Sequence, residues 1–321
     1  MDAPRASIEA DPAFREQVLA GLAAPIPAVP ARWLYDRRGS ELFEEITELP
    51  EYYLTRVEAA LLLRYSRSIA EIAGRSDAVI EFGSGSSSKT PILLEAVEPS
   101  AYVPIDISGD FLRDSAAALK ERFPLLPICP VEADFMRPIT LPARIADSPK
   151  LGLFPGSTIG NMVPSTAVDL LRAMKETLGT GAFLLIGMDR VKDEETLIRA
   201  YDDAQGVTAE FNLNLLHRIN AELNGTIPVD AFRHKAIWND RMSRIEMHLE
   251  AVTDATFTIE NRSFSFRKGE TIHTENSHKY GPRDARLLLH AGGWSVAKEW
   301  TDPEDRFALI LAQVEPARFA P

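Results

Sequence analysis

Ala78-Val79-Ile80-Glu81-Phe82-Gly83-Ser84-Gly85-Ser86-Ser87-Ser88-Lys89-Thr90 decides the fold, because an apolar run passes through a glycine- and serine-rich turn into a helix-like stretch, Pro91 to Val97. The run Ala78 to Phe82 reads as a buried strand. Gly83 and Gly85 suit a turn that tolerates positive φ and lets a ligand come close to the backbone. The carboxyl end of a first strand is where open α/β sheets bind nucleotides. A phosphate loop is excluded, since no Gly-Lys-Ser/Thr ending follows. A dinucleotide fingerprint is excluded as well, because Ser88 stands at the third glycine position. The acid Glu81, just before the glycines, suits a cationic, phosphate-free nucleoside better than a pyrophosphate. A glycine turn that serves only the fold is the plain alternative.

The same alternation continues downstream. Tyr102-Val103-Pro104-Ile105-Asp106 is the next strand, and Ser108 caps a helix through Arg122 with Phe111, Leu112, Ala116 and Leu119 as its apolar stripe. Strands are expected at Ile128–Glu132, Lys150–Phe154 and Ala182–Gly187, with a helix over Ser165–Leu178 entered at Pro164 and left at Gly179. Strands and helices at this spacing imply a parallel, doubly wound α/β sheet. Trp294–Trp300 and Phe307–Val314, separated by Thr301–Asp305, read as an antiparallel pair that closes it. Two regions break the pattern. Residues 1–56 carry helical patterns and aromatics; residues 191–280 carry an acidic helix (Asp193–Asp203), a helix over Thr208–Leu223 and strand-like segments at Arg244–Val252, Thr256–Phe266 and Glu270–His273. The two are expected to form one accessory domain around a core of residues 57–190 and 281–321.

Composition narrows the function. The chain has 321 residues and a net charge of −12, with 45% hydrophobic and 26% charged residues, so it can bury a sizeable core. Such an acidic balance disfavours a nucleic-acid partner, which needs clustered Lys and Arg. The lone Cys129 permits neither an intrachain disulfide nor a cysteine zinc cage. Met1–Arg5 lacks a basic start before an apolar run, so no signal peptide is expected. No apolar stretch approaches the roughly 20 residues that cross a bilayer, and a cytoplasmic monomer without a membrane partner is expected. The 6 histidines show no metal-ligand spacing, His273 and His278 being the nearest pair, and no metal is expected. Asp302-Pro303-Glu304-Asp305 reads as a solvated turn, and Trp33, Trp238, Trp294 and Trp300 as packing residues.

Acids recur at the strand ends. Asp106 ends the second strand, about twenty residues beyond the glycines, where a carboxylate bonds ribose hydroxyls. Asp134-Phe135 follows the third and suits an adenine amino group and ring face. Each acid alone reads equally as a helix cap; together they favour S-adenosylmethionine (SAM). The fourth strand runs into Phe154-Pro155-Gly156-Ser157-Thr158-Ile159-Gly160-Asn161, a turn rich in hydrogen-bonding groups and expected beside a transferred methyl, or simply a turn before the Pro164 helix.

These stretches carry a family resemblance. Leu49-Pro50-Glu51-Tyr52-Tyr53-Leu54-Thr55-Arg56, Glu81–Thr90, Gly156–Asn161 and Tyr201-Asp202-Asp203-Ala204-Gln205-Gly206-Val207-Thr208 resemble the histidine-specific N-α-methyltransferases of ergothioneine biosynthesis. Trp33-Leu34-Tyr35-Asp36 and Arg244-Ile245-Glu246-Met247 resemble further blocks, and the motifs fall in order from residue 31 to 313. Leu54 departs from a proline common in the first block, while the tyrosine before it is kept. The resemblance implies a Rossmann-like class I SAM-dependent methyltransferase core with a smaller accessory substrate-binding domain. It implies trimethylation of the α-amino group of L-histidine to hercynine, leaving S-adenosylhomocysteine. By motif position, Tyr35, Gly83, Lys89, Asp106, Asp134 and Phe135 would line the cofactor. Asn161 and Tyr201 would hold the amino-acid head group as the catalytic pair, and Tyr52, Met247, Glu275 and Ser277 would form the side-chain pocket. In that family the glutamate and serine of Glu275-Asn276-Ser277 read the imidazole; without the resemblance these residues read as a solvated turn. A relative acting on another amino acid or a tryptophan-like amine is the alternative, and Glu275, Ser277 and Met247 discriminate against it. A nicotinamide-dependent dehydrogenase is opposed by Ser88 and Glu81, and a non-catalytic nucleoside-binding module is distinguished by turnover.

Overall fold

In chain order the elements are α1 (Pro12–Leu22), α2 (Arg37–Thr47), α3 (Tyr53–Ala73), β1 (Ala78–Phe82), α4 (Thr90–Val97), β2 (Ala101–Asp106), α5 (Gly109–Arg122), β3 (Val131–Glu132), β4 (Lys150–Phe154), α6 (Pro164–Leu178) and β5 (Phe183–Asp189). They continue with α7 (Glu194–Arg199), α8 (Val207–Glu222), β6 (Phe232–Asn239), β7 (Arg244–Ala251), β8 (Ala255–Ile259), β9 (Arg262–Phe266), β10 (Thr271–His278), α9 (Pro282–Ala291), β11 (Trp294–Thr301) and β12 (Phe307–Val314). The structure, a computed structural model, describes residues 11–314, so the Met1–Arg5 stretch lies outside the described residues. Two compact units result. One takes the chain up to Glu51 with Glu195–Asn239 and Ile245–Asn276; the other takes Tyr52–Glu194, Asp240–Arg244 and the chain from Ser277 onward.

The second unit is built on a seven-stranded sheet in the order β11-β12-β5-β4-β1-β2-β3. Strands β1 to β5 run parallel, and β12 lies antiparallel between β5 and β11. Every residue of β1 and β4 is buried, as a parallel strand covered by helices on both faces requires. Helix α6 supplies Ala167, Leu170, Leu171 and Met174 to that core, and the wholly buried Trp294 donates its indole N–H to the Leu171 carbonyl at 2.9 Å. Strand order reverses between β1 and β4, which makes their carboxyl ends the topological switch point. The first unit carries a three-stranded sheet, β10-β7-β6, and the β8-β9 hairpin, with α2 packed on α8. No helix among the described residues is long and apolar enough to cross a membrane.

Several local expectations change. Ser108 occupies the N-cap of α5 but makes no side-chain cap; instead Asp106 Oδ1 accepts its N–H at 3.0 Å. The third strand shrinks to Val131–Glu132 plus one bridge at Ile128, because it lies at the sheet edge with a single neighbour. Thr256–Phe266 is two strands, folded back at Glu260 and Asn261, with Glu260 in the left-handed region at φ 52°. Asp302 is no solvated charge. It is buried and accepts the Arg306 and Phe307 N–H groups at 2.7 and 2.9 Å, which organises the β11–β12 turn. Trp33 and Trp300 are buried too, the latter stacked on Tyr65 at 5.8 Å.

Glu81 is buried inside this sheet. Its carboxylate accepts the Thr90 hydroxyl at 2.7 and 2.9 Å and the Tyr102 hydroxyl, so it braces the loop instead of facing a ligand. Burial pushes it up to about 7, with the Tyr102 and Thr90 hydrogen bonds offsetting only part of the cost. Between its unfolded value of 4.5 and about 7, the folded chain keeps a proton that the unfolded chain has released. Stability should therefore fall by about 3 kcal/mol as pH rises through that window. Glu81→Gln cannot ionise and should lose this slope, as calorimetric melting of both proteins between pH 5 and 8 would reveal.

Candidate active site

The carboxyl edge of the core sheet gathers half of the expected residues. Gly83 and Gly85 follow β1 with φ of 68° and 49°, conformations that an L side chain rarely adopts. A Cβ on Gly83 would stand 3.4 Å from the Phe135 ring, at van der Waals contact, so loop and ring face each other as a narrow cradle. Asp106 stitches this loop to β2: Oδ2 accepts the Gly85 N–H at 3.0 Å while Oδ1 takes Ser108. Each oxygen retains a lone pair for a further donor, such as a sugar hydroxyl. Asp134 is exposed and accepts the Met136 N–H at 3.0 Å, and Phe135 packs edge-on against Phe154 at 5.8 Å. Lys89 pairs with Glu58 of α3, whose side chain is fully buried and also accepts the Gly156 N–H at 3.0 Å. These residues suit a cofactor with a sugar, a base ring and an acid group.

The fourth-strand turn is equally fixed. Gly156 and Ser157 take φ of 77° and 57°, and a short 3-10 helix runs over Thr158–Asn161. A Cβ on Gly160 would meet the His278 carbonyl oxygen at 2.8 Å and its nitrogen at 3.1 Å. Glycine therefore lets the Asn161 turn lie directly against the backbone that carries Ser277. The Tyr280 hydroxyl, donating to the Ile159 carbonyl at 3.3 Å, holds the same two segments together.

Beneath the turn sits Asp189, fully buried at the end of β5. It receives Lys279 at 2.8 Å, Lys192 at 2.7 Å and the Tyr53 hydroxyl at 2.7 and 2.9 Å. Burial alone would raise its carboxyl, but the Lys279 and Lys192 ammoniums outweigh that and hold it below the ordinary value. Burial pushes Lys192 down to about 8 despite Asp189. Sequence reasoning did not single out Glu58, Asp189, Lys192 or Lys279. One signal was present: Asp189 is another acid at a strand end, like Asp106.

The remaining residues lie elsewhere. Tyr52, at the N-cap of α3, is buried, and its carbonyl accepts from Arg56 at 3.2 Å. In the first unit, Tyr35 packs edge-on against Phe43 and Phe211 at 5.6 and 5.3 Å. Met247 and Glu275 are buried on β7 and β10, where the Thr274 hydroxyl donates to the Met247 carbonyl at 3.0 Å. Glu275 and Ser277 are therefore strand residues and not a solvated turn. Tyr201 is buried too, and its carbonyl accepts from His234 Nε2 at 2.8 Å. Asn212 fixes that tautomer: its amide donates to His234 Nδ1 at 2.9 Å and to the His248 carbonyl at 3.1 Å, so Nδ1 must accept. The nearest histidine partners also differ from the sequence expectation. His273 stacks on His248, ring centroids 4.7 Å apart, with Glu246 at 3.2 Å from His248 Nε2. Ligand atoms of the three lie within 4.8 Å of one another, and His273 Nε2 stands 3.0 Å from the Glu275 carbonyl oxygen.

Known proteins resemble this chain along most of its length. The profile of a family described as histidine-specific methyltransferase, SAM-dependent, matches residues 14–314. The chain is 40% identical, over 94% of each sequence, to histidine N-alpha-methyltransferases of Mycolicibacterium smegmatis and Mycobacterium tuberculosis. It is 29% identical to ergothioneine biosynthesis protein 1 of Neurospora crassa, over 89% of this chain and 33% of that protein.

Two outcomes follow from the packing. Gly160→Ala must displace the His278 backbone, which should cost on the order of 1–3 kcal/mol in urea unfolding. Burial lowers His234, and its bond to the Tyr201 carbonyl and the charges of Asp202 and Asp203 offset only part of this, while His248 adds to the lowering. Below its ordinary value of 6.5, the unfolded chain takes up a proton that the folded one refuses. Stability should thus decline as pH drops from about 6.5, and His234→Gln should flatten the decline in the same unfolding assay.

Proposed function

The chain belongs to the histidine-specific, SAM-dependent methyltransferase family, and from that premise we propose that it trimethylates the α-amino group of L-histidine to hercynine, a step of ergothioneine biosynthesis. The observation that carries the reading is the 40% identity to two histidine N-alpha-methyltransferases across 94% of the chain. SAM, when bound, supplies an electrophilic methyl on a cationic sulfur, and transfer forms an N–C bond as the C–S bond breaks, its electron pair staying on sulfur.

The chain's own contribution is placement. Gly83 and Phe135 form the cradle, Asp106 and Asp134 offer carboxylate oxygens to hydroxyls and to a base amino group, and Lys89 offers a cation to a carboxylate. Tyr35 completes the cofactor set on the strength of its motif. Asn161 and Tyr201 hold the amino-acid head group as the catalytic residues. Tyr52, Met247, Glu275 and Ser277 receive the side chain, and residues 1–56 and 191–280 act as the accessory substrate-binding part. Asn161 has the support of a turn locked by Gly160, and Glu275 and Ser277 share one face of β10. An in-line displacement needs a neutral nitrogen aligned with the methyl, so most of the acceleration comes from orientation and the exclusion of water. Holding the imidazole and the carboxylate leaves the nitrogen able to turn after each transfer, once it has shed its proton.

Mass spectrometry of the protein with SAM and L-histidine should show trimethylated histidine, with tryptophan and tyrosine unchanged. Glu275→Ala should raise the histidine KM by about two orders of magnitude, because a ring N–H loses its acceptor, and leave SAM affinity nearly as it was. Equal losses for both would sink the role given to Glu275.

A further inference from the structure

The segment that follows the imidazole-reading residues carries a buried cation that the mechanism above does not use. Lys279 has a fully buried side chain, and its ammonium donates to Ser277 Oγ at 2.8 Å and meets Asp189 Oδ2 at 2.8 Å. Asp189 is held in turn by Lys192 at 2.7 Å and by the Tyr53 hydroxyl. Lys192 also donates to the Tyr53 oxygen and the Arg190 carbonyl, both at 2.6 Å, so it is tied in place without help from Lys279.

We propose that Lys279 is a positioning and specificity-determining residue: by donating to Ser277 Oγ it turns the serine hydroxyl into a hydrogen-bond donor toward the substrate ring. An ammonium has three N–H groups and no acceptor, so in the Lys279–Ser277 bond the serine oxygen accepts. The hydroxyl proton then points away from Lys279, and the positive charge behind the oxygen strengthens it as a donor. A serine without that neighbour can present either its proton or a lone pair and so reads a ring nitrogen in both states.

Ser277 and Glu275 stand two residues apart on β10 and point to the same side of the strand. An ionised carboxylate can only accept. The pair thus offers one acceptor and one donor, which matches a ring with one N–H and one bare nitrogen. It mismatches a ring that carries two N–H groups, which would set a donor against a donor with an ammonium behind it. The preference for neutral imidazole, on this account, is set by Lys279 and anchored through Asp189 to the end of β5. The inference rests on the reading that Ser277 contacts the ring.

A double-mutant cycle separates the two. Ser277→Ala, Lys279→Met and the double variant are compared by histidine KM, kcat and S-adenosylhomocysteine affinity. Each single change should raise the histidine KM by roughly tenfold with little effect on kcat or on S-adenosylhomocysteine. In the Ser277→Ala background, Lys279→Met should add almost nothing, because the hydroxyl it orients is gone. An equal further loss there would overturn the proposal and leave Ser277 as a ring contact. No effect of Ser277→Ala would overturn both. Should Lys279→Met fail to bind S-adenosylhomocysteine normally, Lys279→Gln carries the test, since its amide nitrogen can still donate to both Ser277 and Asp189. It should hold KM within about threefold of the parent, as hydrogen bonds of similar kind remain; a full tenfold loss would overturn the proposal.

Discussion

A carboxylate with no access to water, Asp189, organises the carboxyl edge of the core sheet. Taking such a charge out of water costs several kcal/mol, and only well-placed cations and donors offset it. Lys279, Lys192 and Tyr53 supply them from three separate parts of the chain. The backbone of Asp189 adds two more ties, its N–H to Ser157 Oγ at 2.9 Å and its carbonyl to the Tyr280 N–H at 2.8 Å. One residue therefore locks the end of β5, the first turn of α3, the fourth-strand turn and the segment after β10. Each partner offsets part of that cost, and Lys192 also bonds to Tyr53, so the arrangement is held by more than one contact.

Helix α3 repeats the device one and a half turns further on. Glu58, also fully buried, pairs with Lys89 beyond the glycine loop and accepts the Gly156 N–H. With Tyr53 on Asp189, the helix braces the loops after β1, β4 and β5 from one side. A reaction with no covalent enzyme intermediate depends on such placement, because an error of an ångström in the attacking nitrogen weakens the attack. The loops after β1, β4 and β5 are tied down by buried ion pairs, Lys89 with Glu58 and Lys192 and Lys279 with Asp189.

Much of this was legible in the chain. The strand at Ala78–Phe82, its glycine turn, Asp106 at the end of β2 and the antiparallel closing pair were all expected from periodicity and turn chemistry, and the sheet contains them. Asp302 was misread, since an acid in a Pro- and Asp-rich turn normally faces water, and only the fold turns its oxygens onto the Arg306 and Phe307 amides. Strand β6 went unnoticed, because Phe232–Asn239 alternates weakly and carries His234, Lys235 and Asn239. Glu275 and Ser277 were noticed only through family likeness, as their polarity gives no sign of burial.

The sequence by itself determined the α/β alternation, the core strands and the strand-end residues, since hydrophobic period and turn propensity act over a few neighbouring positions. Tertiary structure alone decided that Lys279 meets Asp189 and Ser277, that His273 stacks on His248, and that Glu58 reaches Lys89. Those pairings join residues far apart in the chain. A buried charge selects its partner by where the folded backbone brings the partner's atoms, and no local pattern records that choice.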